Sequence, residues 1–313
     1  MNLWTQVDTN KRRSAFLVLG FVVFVVAIGW LISWYYNSPV ILFVAILIAV
    51  IQSFVSYYSG DKIVLSTSGA QEIAKKDNPT LWNVVENLAI TAGLPVPKIY
   101  IIPDDAPNAF ATGRDPEHAS VAVTTGLLER LEKKELEGVI AHELSHVGNY
   151  DIRLMTVVAI LVGVVALISQ IFLRAQWFGF GGRNRSDNEG GSNGIMAILG
   201  IVAIILAPIV AMIVQLAISR KREFLADADG ALLTRYPDGL ADALVKISTY
   251  SKPVERVSGA TAHLFISNPL GSDDDPTSPE GLRGARKQST FAKLFSTHPP
   301  ITERIKILRG MDV

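Results

Sequence analysis

Residues Lys134–Leu173 read KELEGVIAHELSHVGNYDIRLMTVVAILVGVVALISQIFL, and the stretch changes character at Asp151. Up to Gly148, apolar residues recur at helical spacing among charges, and His142 and His146 stand four apart. Beyond it, Leu154–Leu173 runs 20 residues without a charge. A helix rises 1.5 Å per residue, so that run is about 30 Å long, the thickness of a bilayer's hydrocarbon core. A polar helix that carries histidines and a membrane-length apolar run therefore meet at one junction.

The polar half contains His142-Glu143-Leu144-Ser145-His146. Residues four apart lie on one helix face, so both imidazoles can point at a single metal ion. Glu143 projects beside that ion, placed to act as a base toward water. Two histidines and a carboxylate with an open fourth position form a catalytic zinc set rather than a structural one. The third ligand is open among Asp151, His118, His263, His298 and Glu223. Glu223 stands best, in Arg222-Glu223-Phe224-Leu225-Ala226-Asp227, where the chain leaves its last apolar run. Asp227, one turn further on the same face, can accept from a ligating imidazole N–H. Asp151 either caps the apolar run after it or supports the site, and capping is the preferred reading. His118, in a polar turn, and His263 read as structural.

Outward from this junction lie three further apolar runs: Ser14–Tyr36, Val40–Tyr58 and Ile195–Ile218. Four membrane helices are expected. Trp34-Tyr35-Tyr36-Asn37 offers no small-residue cleavage site, so the first run reads as a retained anchor. Trp30, Trp34, Tyr35 and Tyr36 suit an interfacial belt. Lys11, Arg12 and Arg13 precede the first run and Arg220, Lys221 and Arg222 follow the fourth, which places both termini and the histidine motif on the cytoplasmic side of a cell membrane. The 174–194 loop then lies outside. No run has an ionisable residue in its interior, which argues against transport.

The soluble parts read as α+β. Helices are expected over Pro79–Ala92, Gly126–Glu132, Lys134–Gly148, Arg220–Leu233, Gly239–Tyr250 and Ile301–Leu308. Short strands are expected over Lys98–Ile102, within Pro107–Gly113 and over Ser120–Thr124. Gly271–Thr290 reads as a long mobile loop. The expected units are a membrane hairpin at 1–58, a catalytic part at 59–151, a second hairpin at 152–218 and a second catalytic part at 219–313. Charged residues make up 19% of the 313, below the roughly 25% of a soluble domain. With no cysteine, disulfides and thiolate metal sites are excluded. With 29 basic against 29 acidic residues, nothing draws the chain to nucleic acid.

Beyond the histidine motif, the ordered set Asn108–Gly113, Val121–Leu128, Ser219–Asp227 and Thr297-His298-Pro299-Pro300 before Arg304 resembles the HtpX-type membrane zinc metallopeptidases, relatives of the type I CAAX prenyl proteases. The resemblance covers nearly the whole chain. It implies an α-helical integral membrane protein with a zincin-like α+β catalytic domain, one Zn2+ per chain and Glu223 as third ligand. It also implies cleavage of misfolded or damaged membrane proteins, as a stress-response quality-control enzyme of the cell inner membrane. It supports a catalytic place for His298, as a second electrophile for the oxyanion, and Arg304 as a neighbour of the ligands. It favours Asn108, Ala109 and Phe110 as an edge strand that binds substrate backbone. The competing readings are a prenyl-protein protease and a membrane-anchored scaffold with a structural zinc.

Overall fold

Pro39 at the first turn of a helix, after Asn37 at φ 46, breaks the N-terminal apolar sequence into two helices. They are α1 (Leu3–Tyr35) and α2 (Pro39–Thr67), which pack along each other. In the computed structural model, residues 3–35, 37–177, 220–250, 252–257, 260–269 and 299–313 are described. The expected fourth run at 195–218, most of the 174–194 loop, the 271–290 loop and His298 lie outside the described residues. Two described helices, α1 and α2, are long and apolar enough to cross a membrane, or three if one bent pair is a single span. Their outer faces carry Phe16, Leu19, Phe43 and Phe54 exposed. Both helices outrun their charge-free segments at the same end, α1 through Leu3–Arg13 and α2 through Ser59–Thr67.

The chain continues through β1 (Gln71–Glu72), α3 (Pro79–Thr91), β2 (Lys98–Ile102), β3 (Ala109–Gly113), β4 (Ala119–Thr124), α4 (Thr125–Arg130), α5 (Lys133–Gly148) and α6 (Asp151–Trp177). After the undescribed stretch come α7 (Arg220–Thr234), α8 (Pro237–Ser248) and α9 (Ile301–Leu308). The sheet is mixed, in the order β1-β2-β4-β3. β2 and β4 are parallel, with Ile99 opposite Val121, and β3 is antiparallel to β4, with Phe110 opposite Ala122.

Side chains alternate across a sheet, so its two faces go to different neighbours. Ala109, Ala111, Val121 and Val123 join a core with α3, α5 and α8. Phe110 and Ala122 face Val64 and Leu65 of α2 and Met155, Ala159 and Ile160 of α6. The sheet is thus clamped between the histidine helix and the roots of the membrane helices. α6 contains the expected third span, yet Ile152, Leu154, Val158 and Leu161 are buried by protein, so its first turns do not face lipid. α5 and α6 meet at 84°, across Asn149 and Tyr150, whose φ is 59.

Candidate metal centre

The N-terminus of α5 is held by Glu135, whose carboxylate accepts from Glu132 N–H at 2.6 Å and pairs with Lys246 of α8 at 2.7 Å. Two glycines let neighbouring helices approach. A Cβ on Gly138 would lie 2.6 Å from Leu240 N, and one on Gly230 would lie 3.1 Å from His142 N. The second contact brings α7 against the histidine turn. Ser145 Oγ donates to Asp229 at 2.8 Å, which fixes the register of the two helices.

In this register His142, His146 and Glu223 present ligand atoms all within 4.8 Å of one another, and all three are buried. The two Nε2 atoms are 3.2 Å apart, and Glu223 oxygens lie 3.5 Å from His146 Nε2 and 3.9 Å from His142 Nε2. Ligands about 2.0–2.1 Å from a tetrahedral zinc stand roughly 3.3 Å from each other. The rings are turned for this role from behind. His142 Nδ1 is 2.9 Å from Asp227, and His146 Nδ1 is 3.1 Å from Asp151. A neutral ring that donates from Nδ1 leaves a lone pair on Nε2. Both lone pairs and a carboxylate then converge on one point, an arrangement that could hold a metal ion. The donor set fits zinc.

Glu143 is fully enclosed. Its carboxylate accepts from the Ala111 N–H of β3, and Oε2 has no hydrogen-bond partner among the described residues. Burial pushes its pKa up to about 7. Burial likewise lowers His142 to about 4. Burial also opposes the charge on His146, but Asp151 and Glu223 outweigh it and raise that ring to about 9. Asp227, despite burial, is held down at about 2 by the Arg304 guanidinium. Arg304 is fully buried, grips Asp227 at 2.9 and 2.7 Å and donates to Ile266 C=O at 3.1 Å.

The structure thus brings together His142, Glu143, His146, Glu223, Asp227 and Arg304. His298 lies outside the described residues. Asn108, Ala109 and Phe110 are buried, and the free edge of β3 is already used there: Ala109 C=O accepts from Ile266 N–H at 2.9 Å, and Asn108 Nδ2 donates to Ser267 C=O at 3.0 Å. Phe110 packs edge-on against Phe265 at 4.9 Å. Strand addition at these three residues needs segment 265–267 to leave.

Of the two roles open to Asp151, its carboxylate takes the support of the site rather than the preferred cap: it turns to His146, because the bend at Tyr150 folds the start of α6 back over the motif. Two residues not foreseen hold it there. Asn10 of α1 donates to Asp151 at 2.7 Å and to Asn149 C=O at 3.0 Å, and Arg222 Nε lies 3.2 Å from the same carboxylate. Arg222 stood beside Glu223 in the sequence, but nothing in the sequence around Asn10 marks it.

The model of Peptidase family M48 matches residues 75–312. Curated relatives called "Protease HtpX homolog" include one from Tropheryma whipplei (strain TW08/27), 47% identical over 99% of this chain and 98% of its own. Another, from Caldanaerobacter subterraneus subsp. tengcongensis, is 44% identical over 97% and 96%, and one from Ligilactobacillus salivarius is 40% identical over 99% and 100%. The crystal structure of S. mikatae Ste24p superposes with a TM-score of 0.47 at 17% identity, covering 98% of this chain and 66% of that one.

Proposed function

This chain belongs to peptidase family M48, among the HtpX-type proteases, and on that footing we propose a membrane-bound, zinc-dependent endopeptidase that cleaves misfolded or damaged membrane proteins at the cytoplasmic face. The family and the two apolar helices make it a membrane-associated metalloprotease. The observation that carries the finer reading is the pair of Nε2 atoms 3.2 Å apart, each ring oriented by a carboxylate, beside a Glu143 oxygen with no described partner.

His142, His146 and Glu223 would hold the ion. Zinc there would supply a Lewis acid toward a peptide carbonyl and toward water. Glu143 takes the proton from water and later returns it to the leaving amine. A carboxyl titrating near neutrality is suited to both transfers. A structural zinc site has no use for such a base. Asp227 and Asp151 position the two imidazoles, and Arg304 positions Asp227. His298 keeps its proposed place as a second electrophile.

The cytoplasmic placement is supported by Asn10. It sits one residue before the basic cluster Lys11–Arg13 and touches the carboxylate that orients His146. The site therefore lies on the side of the membrane where that cluster lies, and basic clusters favour the cytoplasm. The four-crossing topology and the quality-control role belong to the same proposal.

Full-length protein in detergent, stripped with a chelator and re-supplied with zinc, is expected to degrade an unfolded membrane protein only when zinc is restored. It should cut that substrate in preference to a farnesylated peptide. Proteolysis by Glu143→Ala at the unaltered rate would overturn the reading. Full zinc retention by Glu223→Ala would remove Glu223 from the ligand set.

A further inference from the structure

A groove of about 520 Å³ runs between α1, α2 and α6, away from the metal centre. Its lining is graded. At one end stand Lys11, Tyr57, Tyr58 and Arg153, and toward the other Val18, Leu19, Val22, Val50 and Phe54. The gradient follows the membrane normal. Lys11 precedes the charge-free run of α1 and Tyr58 ends that of α2, so the charged end lies at interface level and the apolar end inside the bilayer. From Lys11 to Val22 the helix rises roughly 16 Å at 1.5 Å per residue.

The charges at the mouth are the informative part. Lys11 Nζ lies 4.3 Å from the Tyr150 ring centroid, and the Arg153 guanidinium lies 5.1 Å from the same centroid. Arg153 Nε donates to Arg114 C=O, and its remaining N–H groups have no acceptor among the described residues. The described contacts of both cations are with aromatic faces and this carbonyl, not with carboxylates. Both cations line the groove mouth with no carboxylate partner among the described residues, and an anion there would supply the missing counter-charge.

We propose that this groove binds one anionic phospholipid, with its phosphate at the mouth lined by Lys11 and Arg153 and an acyl chain laid along Val18, Leu19, Val22 and Phe54. A charged mouth over an apolar channel matches a lipid from headgroup to tail. Basic pockets between membrane helices on the cytoplasmic side suit such headgroups. The volume is that of a small-molecule site and falls short of a whole transmembrane helix, about 10 Å wide and 30 Å long.

The test reconstitutes the full chain in phosphatidylcholine nanodiscs containing one-fifth phosphatidylglycerol. Lipid that stays bound after transfer to detergent is then counted by native mass spectrometry. One phosphatidylglycerol is expected to be retained in preference to phosphatidylcholine. Lys11→Gln with Arg153→Gln should lower that preference about thirtyfold, from the usual attraction of two interfacial cations. Arg12→Gln with Arg13→Gln removes as much charge from exposed positions outside the groove and should lower the preference far less. Equal loss in both double variants would reduce the effect to general surface attraction and overturn the site. So would equal retention of the two lipids by the unaltered protein. A photo-crosslinking benzoylphenylalanine in place of Leu19 tests the groove with both cations intact. A lipid adduct supports the proposal, and an adduct with residues 195–218 or with substrate overturns it.

Discussion

Glu143 sits where a carboxylate is least comfortable, and that discomfort can be measured. An unfolded glutamate titrates at 4.5 and this one at about 7. Between those values the folded state holds more protons than the unfolded state, so stability falls as pH rises. Below about pH 4.5 both states are protonated and the penalty vanishes. Above pH 7 it is complete, at about 3 kcal/mol for the full shift. Metal-free Glu143→Gln should therefore be more stable than the parent at pH 8, by up to about that amount, and no more stable at pH 4. Thermal unfolding at the two pH values checks it. Equal stabilisation at both would mean that the benefit is not the carboxylate's charge. The oriented imidazoles give the complementary case. Asp227→Asn and Asp151→Asn each weaken the acceptor behind a ligating ring and should reduce zinc affinity about 10–100-fold, measured by chelator competition. Zinc affinity unchanged in both would remove their orienting role.

Elements meet here at glycines and at one bend. Gly138 lets α8 lie against α5, and a methyl group there would press on Leu240 backbone at 2.6 Å, which cannot swing aside as a side chain can. Gly138→Ala should cost about 1–3 kcal/mol by overpacking, seen as earlier thermal unfolding with one zinc still bound per folded chain. An alanine that leaves the melting point unchanged would show that the two helices have slack. Periodicity revealed most of these elements. Expected strand Lys98–Ile102 and helix Ile301–Leu308 coincide with β2 and α9, and the expected helix over Pro79–Ala92 differs from α3 by one residue. Spacing of four put His142 and His146 on one face because that relation is internal to a helix. Sequence leaves Asp151 between a cap and a support of the site because its contact with His146 depends on Tyr150 in a left-handed conformation, which a tyrosine does not signal. β1, only two residues long, has no pattern to detect. Asn10 reaches the site across 141 positions, and only the extension of α1 beyond its apolar run places it there. Asn10→Ala removes the amide that shares Asp151 Oδ1 with Arg222 Nε and should cost about 1–3 kcal/mol. Faster zinc loss from an otherwise intact protein is the expected sign, and an unchanged off-rate would make the contact incidental.

At the scale of the whole molecule, the question is how many times the chain crosses the bilayer, and the cysteine-free sequence makes it answerable. On the proposed topology α1 and α2 both cross and bring the chain back to the side on which it began, so Asn37 between them should face outward. On that proposal the sheet and the histidine helix lie on the inner side, and they are joined to α1 through Asn10 and to α2 through Val64 and Leu65. The course of the chain from α6 to α7 decides the count. If α6 and the apolar run 195–218 both cross, Asn188 lies outside and α9 returns inside. If neither crosses, Asn188 stays inside with the catalytic part. α7 must in either case deliver Glu223 to the two histidines, which demands an even number of crossings between Asp151 and Arg220. Single substitutions Asn37→Cys, Asn188→Cys and Arg309→Cys, labelled with a membrane-impermeant maleimide on intact cells, separate these cases without background thiols. Four crossings predict labelling at 37 and 188 and protection at 309 until the membrane is opened. Protection at 188 would reduce the protein to a two-span anchor. Labelling at 309 would place the active-site half outside and defeat the positive-inside argument, since Arg304 on the same helix is bound to Asp227 and cannot lie across the membrane from it.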